Sequence, residues 1–427
     1  MTSDTQLESK RAIEALRAGV PNRDAVRALG CLQPVIEKRF MKQLDSVKNT
    51  ISDQTTAVGT LFAGNFGTGK SHLLEYLQHI ALENNFVCSK IVISKETPLY
   101  DPGKIFNAAI ESALLPDRTG AVLTGVAQKL GDSKFNNREY TDFYQWVNNP
   151  DNGLNTRFAA TVLLLERAGI SSTSEISDRI IQFWSGTQIG VRDLREMLRQ
   201  IGEAATYRIE KVSSKELALQ RYIFIPRLMV AAGYAGWVIL IDEVELISRY
   251  SWKQRAKSYK EIARLMGKLE GENAPGLTTV LSISEDFVSV VLDERDDEGK
   301  ILGKLQAAGN DEELAMSSQT EKGMRILRSD SIPLDSPTDT LISEINNKVR
   351  SVYNTAYDWN PPPQETEYDK TARLRQHIKK WINEWDLIRL YEGYTPDIEV
   401  TELKQDYSEM PEIEQLSDDS TDKADDK

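Results

Sequence analysis

Cysteine is almost absent from this chain: Cys31 and Cys88 are the only two in 427 residues. There is no CxxC pair and no Cys/His cluster, so neither a disulfide framework nor a structural zinc is expected. Histidine is nearly as scarce. His72, His79 and His377 are the three, and none has metal-ligand spacing, so no chemistry is assigned to them. No apolar run approaches the roughly 18 residues needed to cross a bilayer. The first residues, Met1-Thr2-Ser3-Asp4-Thr5, lack the basic and apolar segments of a signal peptide. These absences predict a cytoplasmic protein with no membrane contact. No internal repeat is evident.

Bases are outnumbered by acids, 52 to 65, and the net charge is −13. The deficit is local. From Asp397 onward twelve acids face three bases, so about nine of those negative charges sit in the tail. The last stretch, Ser417 to Lys427, cannot bury apolar surface, and its composition predicts disorder. It is open to three readings: a solubilising appendage, a device that keeps the protein off nucleic acid, or a segment that docks on a basic partner. The remainder, with 40% hydrophobic and 27% charged residues overall, has the composition of a globular protein with room for two or three domains.

What is present is a phosphate cradle. Gly64-Asn65-Phe66-Gly67-Thr68-Gly69-Lys70-Ser71 fits G-x-x-x-x-G-K-[ST]. The apolar run Thr60 to Ala63 precedes it and a helical pattern from His72 to Leu82 follows it. The glycines let backbone N–H groups converge on phosphate oxygens, and the helix adds its free N–H groups and positive dipole end. Lys70 reaches the β- and γ-phosphates, and the Ser71 hydroxyl ligates Mg²⁺. His72, in the first helical turn, is counted with the loop among the residues that contact ATP.

The cradle needs an acidic partner. Trp237 to Ile241 is a continuous apolar run, as in a buried parallel strand, and it ends in Asp242-Glu243. Placed beside the loop's own strand, Asp242 holds Mg²⁺ directly or through water. Glu243 is suited to polarise the attacking water, with Glu245 a weaker competitor. Lys90 to Ser94, Leu277 to Ser284 and Ser331 to Leu334 read as further strands, giving about five in a parallel α/β sheet. A polar residue ending the fourth strand senses the γ-phosphate; Ser284 or Ser282 fits, and a strand-terminal serine without a role is the other reading.

The region from about 101 to 230 reads mainly as helices, for example Asp101 to Leu114, Arg157 to Ala168 and Val191 to Glu203. The expected division is an N-terminal helical segment at 1–50 and a P-loop ATPase core at 51–345 holding that helical insertion. A C-terminal helical lid or wing follows at 346–395, then the acidic tail at 396–427. Pro361-Pro362-Pro363 marks a stiff bend before the last helix, Thr371 to Tyr391.

Ala12 to Gly30 resembles the N-terminal signature of the BrxD ATP-binding proteins of BREX phage-defence systems. The P-loop, Ser94 to Pro102 and Trp381 to Leu390 are similar as well, so the likeness covers most of residues 10–392. The resemblance implies an AAA+-like ATPase working beside other defence proteins, among them a helicase-like partner. The same N-terminal signature resembles origin-recognition ATPases, which implies that Pro21, Asn22 and Arg23 lie near the adenine or ribose; a helix-breaking turn with an exposed arginine is the other reading.

Arg249, Lys253, Lys257, Lys260, Arg264 and Lys268 recur at steps of three or four, on one helix face opposite Ile262, Leu265, Met266 and Leu269. Such a face either tracks a DNA backbone or is simply solvated. Arg255 falls on the apolar flank, where an arginine needs a carboxylate or phosphate partner. Arg325 and Arg328, just before the last strand, are candidates for a γ-phosphate contact, in cis or across a homo-oligomer interface; ion pairs are the alternative.

Overall fold

The computed structural model describes residues 3–19, 22–65, 67–133, 138–168, 175–335, 338–363, 374–391 and 393. The acidic tail, Pro21 and Phe66 therefore lie outside the described residues.

The chain opens with three helices, α1 (Ser3–Ala18), α2 (Arg23–Leu29) and α3 (Pro34–Asp53). Asn22 starts α2 as its N-cap, accepting from the Ala25 N–H at 2.8 Å. Next come β1 (Thr60–Ala63), α4 (Lys70–Glu83) and β2 (Val87–Val92). A long helical stretch follows: α5 (Pro102–Glu111), α6 (Val122–Ser133), α7 (Arg138–Val147), α8 (Arg157–Ala168), α9 (Glu175–Ser185), α10 (Val191–Gln200) and α11 (Ser214–Ala231). The chain then returns through β3 (Trp237–Asp242), α12 (Trp252–Leu265), β4 (Leu277–Ile283), α13 (Asp297–Ala308), α14 (Asp311–Ser329) and β5 (Ser331–Pro333). It closes on α15 (Asp339–Tyr357) and α16 (Leu374–Leu390).

The five strands are parallel and lie in the order β2-β3-β4-β1-β5. Every residue of β1, β3 and β4 is buried, as expected where helices cover both faces. Alternation along each strand divides the core. Phe62, Val238, Leu240 and Val280 point toward α3 and α4. Leu61, Ile239, Ile241 and Leu281 join the larger core under α5, α11, α12 and α14. The expected adjacency of the acid strand and the loop's strand is corrected: β4 lies between β1 and β3.

The N-terminal helices do not form one segment. α3 turns Ile36, Phe40, Leu44 and Val47 onto the sheet. Buried among them, Gln43 donates to Thr278 Oγ1 at 2.6 Å and to the Thr279 carbonyl at 2.8 Å, and it accepts from Thr60 Oγ1 at 2.6 Å. α1 and α2 instead pack with α15 and α16 around Ile13, Ile345, Tyr353, Trp381 and Trp385. The two ends of the chain thus build one helical body over the mouth of the sheet. Among the described residues no helix is long and apolar enough to cross a membrane.

Candidate functional site

The loop between β1 and α4 is shaped by glycine. A Cβ on Gly64 would stand 2.7 Å from Leu334 Cδ1 and from Thr68 Oγ1, while its N–H donates to the Ile283 carbonyl at 3.0 Å. Gly69 adopts φ 102°, which side-chain-bearing residues rarely enter, and nothing stands within 4 Å of where its Cβ would be. Thr68 Oγ1 donates to the Asn65 carbonyl at 2.8 Å, and Asn65 Nδ2 donates to Glu285 Oε2 at 2.9 Å, so the loop is braced internally and against the end of β4. α4 begins at Lys70, so its first N–H groups lack intrahelical acceptors and face the loop's concavity.

Lys70 is 9% exposed; its Nζ donates to the Gly64 carbonyl at 2.8 Å and lies 3.6 Å from Glu245 Oε1. Ser71 Oγ donates from α4 to Asp242 Oδ2 at 2.7 Å, although β1, which leads into the loop, and β3 are not neighbours. Ser282, on the intervening β4, donates to Asp242 Oδ1, which also accepts from the Glu243 N–H at 3.0 Å. Glu243 itself adopts left-handed backbone, φ 57° and ψ 39°. Such strain costs on the order of 1–3 kcal/mol in a residue with a side chain and concentrates at functional sites. Burial first, then the charges of Glu245 and Asp242, push the Glu243 carboxyl above its ordinary range against the pull of Lys70 and Arg249.

The Ser71 hydroxyl and Asp242 carboxylate are hard oxygens of the kind Mg²⁺ selects. Among the described residues no group of three or more His, Cys, Asp or Glu could hold a metal alone. A magnesium ion there fits only with phosphate oxygens and water completing its shell, which is how Mg²⁺ commonly binds.

Loop and acids share a cavity with the helical body above them. Gly67, Lys70, Ser71, Asp242, Glu243 and Glu245 form its polar end; Leu16, Leu29, Leu32 and Ile378 form an apolar wall. The cavity opens to solvent and holds about 140 Å³ in this structure, less than the roughly 300–1,000 Å³ of drug-sized ligand pockets. Arg375, on α16, also lines it. Gly19 lines it from the end of α1 with φ +72°, and a Cβ there would sit 2.3 Å from Arg375 Nε.

Other expected residues lie elsewhere. Ser284 is buried but donates to Asp286, so Ser282 is the β4 hydroxyl that meets the acid. Arg23 is exposed and outside the cavity; with Arg27 it adds to the burial that lowers His79. His72 lines the cavity, yet its Nε2 lies 3.1 Å from the Gly30 carbonyl, and burial lowers its pKa. A neutral ring donating there ties α4 to the end of α2. Arg325 is exposed, and Arg328 pairs with Asp293 and Glu298 at 2.9 Å each; neither lines the cavity. Arg255 is buried and bidentate on Asp297, through Nε at 2.8 Å and Nη2 at 3.1 Å.

The cationic stripe is not a continuous exposed face. Only Lys253 and Lys257 are exposed, and Arg249 is half-buried. Arg264 is buried, pairs with Glu261 at 2.7 Å and stacks over Tyr222. Lys260 meets Glu272 at 3.5 Å and Lys268 meets Asp330. α12 spans only the middle of the expected helix, with Arg249 before it and Lys268 beyond its end, and the stripe's partners range from Glu261 on α12 itself to Asp330, which periodicity does not register. Arg375 carried no local signal for the same reason.

The sequence profile of the family described as BREX system ATP-binding protein BrxC/D matches residues 5–119 and 209–388. That is more than half of the chain, and the chain belongs to this family. The match passes over α6 to α10 and spans the loop, the acids and the helical body. No curated protein matches the chain.

Proposed function

We propose that this BREX-system ATP-binding protein is a Mg²⁺-dependent ATPase of the AAA+ type, which couples nucleotide state to remodelling or loading of a partner in antiphage defence. One observation carries the reading: Ser71 Oγ and Asp242 Oδ2 stand 2.7 Å apart at the end of a glycine loop, with Glu243 next in sequence. In this reading the loop and the start of α4 hold the phosphates, and Lys70 leaves the Gly64 carbonyl to meet them. Bound magnesium would neutralise phosphate charge from between Ser71 and Asp242. Glu243 takes the proton of the attacking water, and its raised pKa suits a base working near neutral pH. The apolar wall takes the base of the nucleotide, and Arg375 reaches the phosphates from α16.

The strand order supports the AAA+ assignment, since a third strand between the loop strand and the acid strand sets a polar side chain, Ser282, against the acid. The partner in this reading is a helicase-like defence protein or DNA, in the cytoplasm, with the chain acting as a homo-oligomer. Arg325 and Arg328 then serve a neighbouring subunit. A slow-turnover switch or scaffold is the second reading, favoured by Lys70 resting on Gly64 and beside Glu245. ATP turnover of Glu243→Gln, with and without DNA, separates them. The ATPase reading requires retained ATP binding and a fall in rate of roughly 10²-fold or more. Wild-type turnover that is slow and that neither DNA nor partner raises selects the switch.

A further inference from the structure

We propose that a second site, for a small phosphate- or carboxylate-bearing anion, lies between α3, α7 and α11 with Arg227 at its floor. Arg227 is 6% exposed, and among the described residues no carboxylate pairs with it. Its Nη2 donates to the neutral Gln54 Oε1 at 2.5 Å, its Nε is buried without an acceptor, and its guanidinium lies 4.2 Å over the Trp146 ring. Burial lowers its pKa to about 10, so at neutral pH it still carries its charge. Buried charges in folded proteins are normally neutralised by a partner.

Among the other buried arginines Arg221 and Arg255 are capped or paired, whereas Arg157 also has its Nε and Nη1 buried without an acceptor. Arg221, on the same helix, donates to the Phe183 carbonyl at 3.0 Å and the Thr187 carbonyl at 2.9 Å. Arg255 has Asp297. Arg227 differs in lining an open cavity, with Ile51, Phe143 and Val230 as apolar walls and Lys48 as a second cation. That arrangement offers a fork of N–H donors to an anion whose body stays in apolar contact. Glu139 and Asp142, exposed on α7, stand at the same cavity and oppose an anion there.

The site shares no residue with the loop cavity and does not depend on the nucleotide reading. Lys48, Gln54 and Arg227 lie in the part matched by the family, whereas Trp146 and both acids lie in the unmatched helices. The cation and the walls Ile51 and Val230 are thus in shared framework, and the α7 side of the cavity, with Phe143 and Trp146, lies outside it. α11 runs directly into β3, so an occupant would press on the helix that leads to Asp242.

The test uses the full chain carrying Lys70→Ala, which weakens the loop as a phosphate site. Inorganic phosphate and, separately, acetate are titrated while tryptophan fluorescence is followed. The proposal expects a saturable change with one of them, lost in Arg227→Gln and absent in Trp146→Phe. Tighter response to phosphate assigns a phosphorylated ligand, and tighter response to acetate a carboxylate. The combined Glu139→Gln and Asp142→Asn variant, altered only at exposed positions, should bind the anion several-fold more tightly. No saturation with either anion overturns the proposal, as does a response that Arg227→Gln leaves intact. If Arg227→Gln fails to fold, an unchanged affinity in the acid-neutralised variant overturns it instead.

Discussion

Gly19→Ala probes the contact between the two chain ends at the nucleotide cavity. Gly19 ends α1 with φ +72°, its N–H donating to the Leu16 carbonyl at 3.1 Å. An alanine forced into that left-handed backbone costs about 1–2 kcal/mol. Its methyl would also sit 2.3 Å from Arg375 Nε and 2.7 Å from Lys379 Cε. Both are far ends of flexible side chains, so they swing aside instead of unfolding the helices. The stability loss is therefore confined to the backbone term, and the melting temperature should fall by about 2–4 °C per kcal/mol, or less in a chain this long. The functional loss should be larger. If the displaced Arg375 forfeits a charged hydrogen bond to phosphate, worth about 1.5–3 kcal/mol, ATP affinity falls roughly 10- to 100-fold. Calorimetric ATP titration beside a melting curve reads both. Wild-type affinity with a lowered melting temperature would refute the placement of Arg375 over the nucleotide, and an unchanged melting temperature would refute the left-handed backbone at Gly19.

Glu243→Gln should melt higher than wild type at pH 8, and the difference should vanish as pH falls toward the ordinary glutamate value of 4.5. The sign follows from a folded-state pKa raised above the unfolded one: the ionised form is disfavoured in the fold, so the cost is present above the folded value. For the same reason wild-type turnover should decline with acidification at a pH above 4.5. Asp297→Ala strands the buried Arg255 guanidinium and leaves Tyr259 Oη without its 2.8 Å acceptor. Loss of about 3–5 kcal/mol in denaturant unfolding is expected. Arg328→Ala removes two exposed ion pairs and should change stability by no more than about 1 kcal/mol. Wild-type ATP affinity with reduced turnover only in assembled protein would assign Arg328 to a neighbouring subunit's site.

The glycine loop, the acid strand and the apolar strands were legible because their signals are local. Phosphate cradling demands Gly64, Gly67 and Gly69 at fixed spacing, and burial on both faces demands runs such as Trp237 to Ile241. The order of strands was not legible, since β4 reaches its place between β1 and β3 through hydrogen bonds that no local pattern encodes. Arg264 shows the same limit: it has the period of a solvated face, yet Tyr222, forty-two positions earlier, covers it. The choice between Ser282 and Ser284 also needed the fold: two positions apart, they would share a face of a continued strand, but β4 ends at Ile283, so Ser282 meets Asp242 while Ser284 turns to Asp286. Likewise, the union of α1 and α2 with α15 and α16 joins residues more than 300 apart, as in the Arg17–Asp386 pair at 2.7 Å.

The most direct measurement is ATP binding with and without Mg²⁺ in wild type and in Asp242→Asn, an isosteric change that keeps an acceptor for Ser71. Magnesium should strengthen ATP binding in the wild type and do so far less in the variant. Equal magnesium dependence in both proteins, or no ATP binding by the wild type, would contradict a metal–triphosphate seated between Ser71 and Asp242.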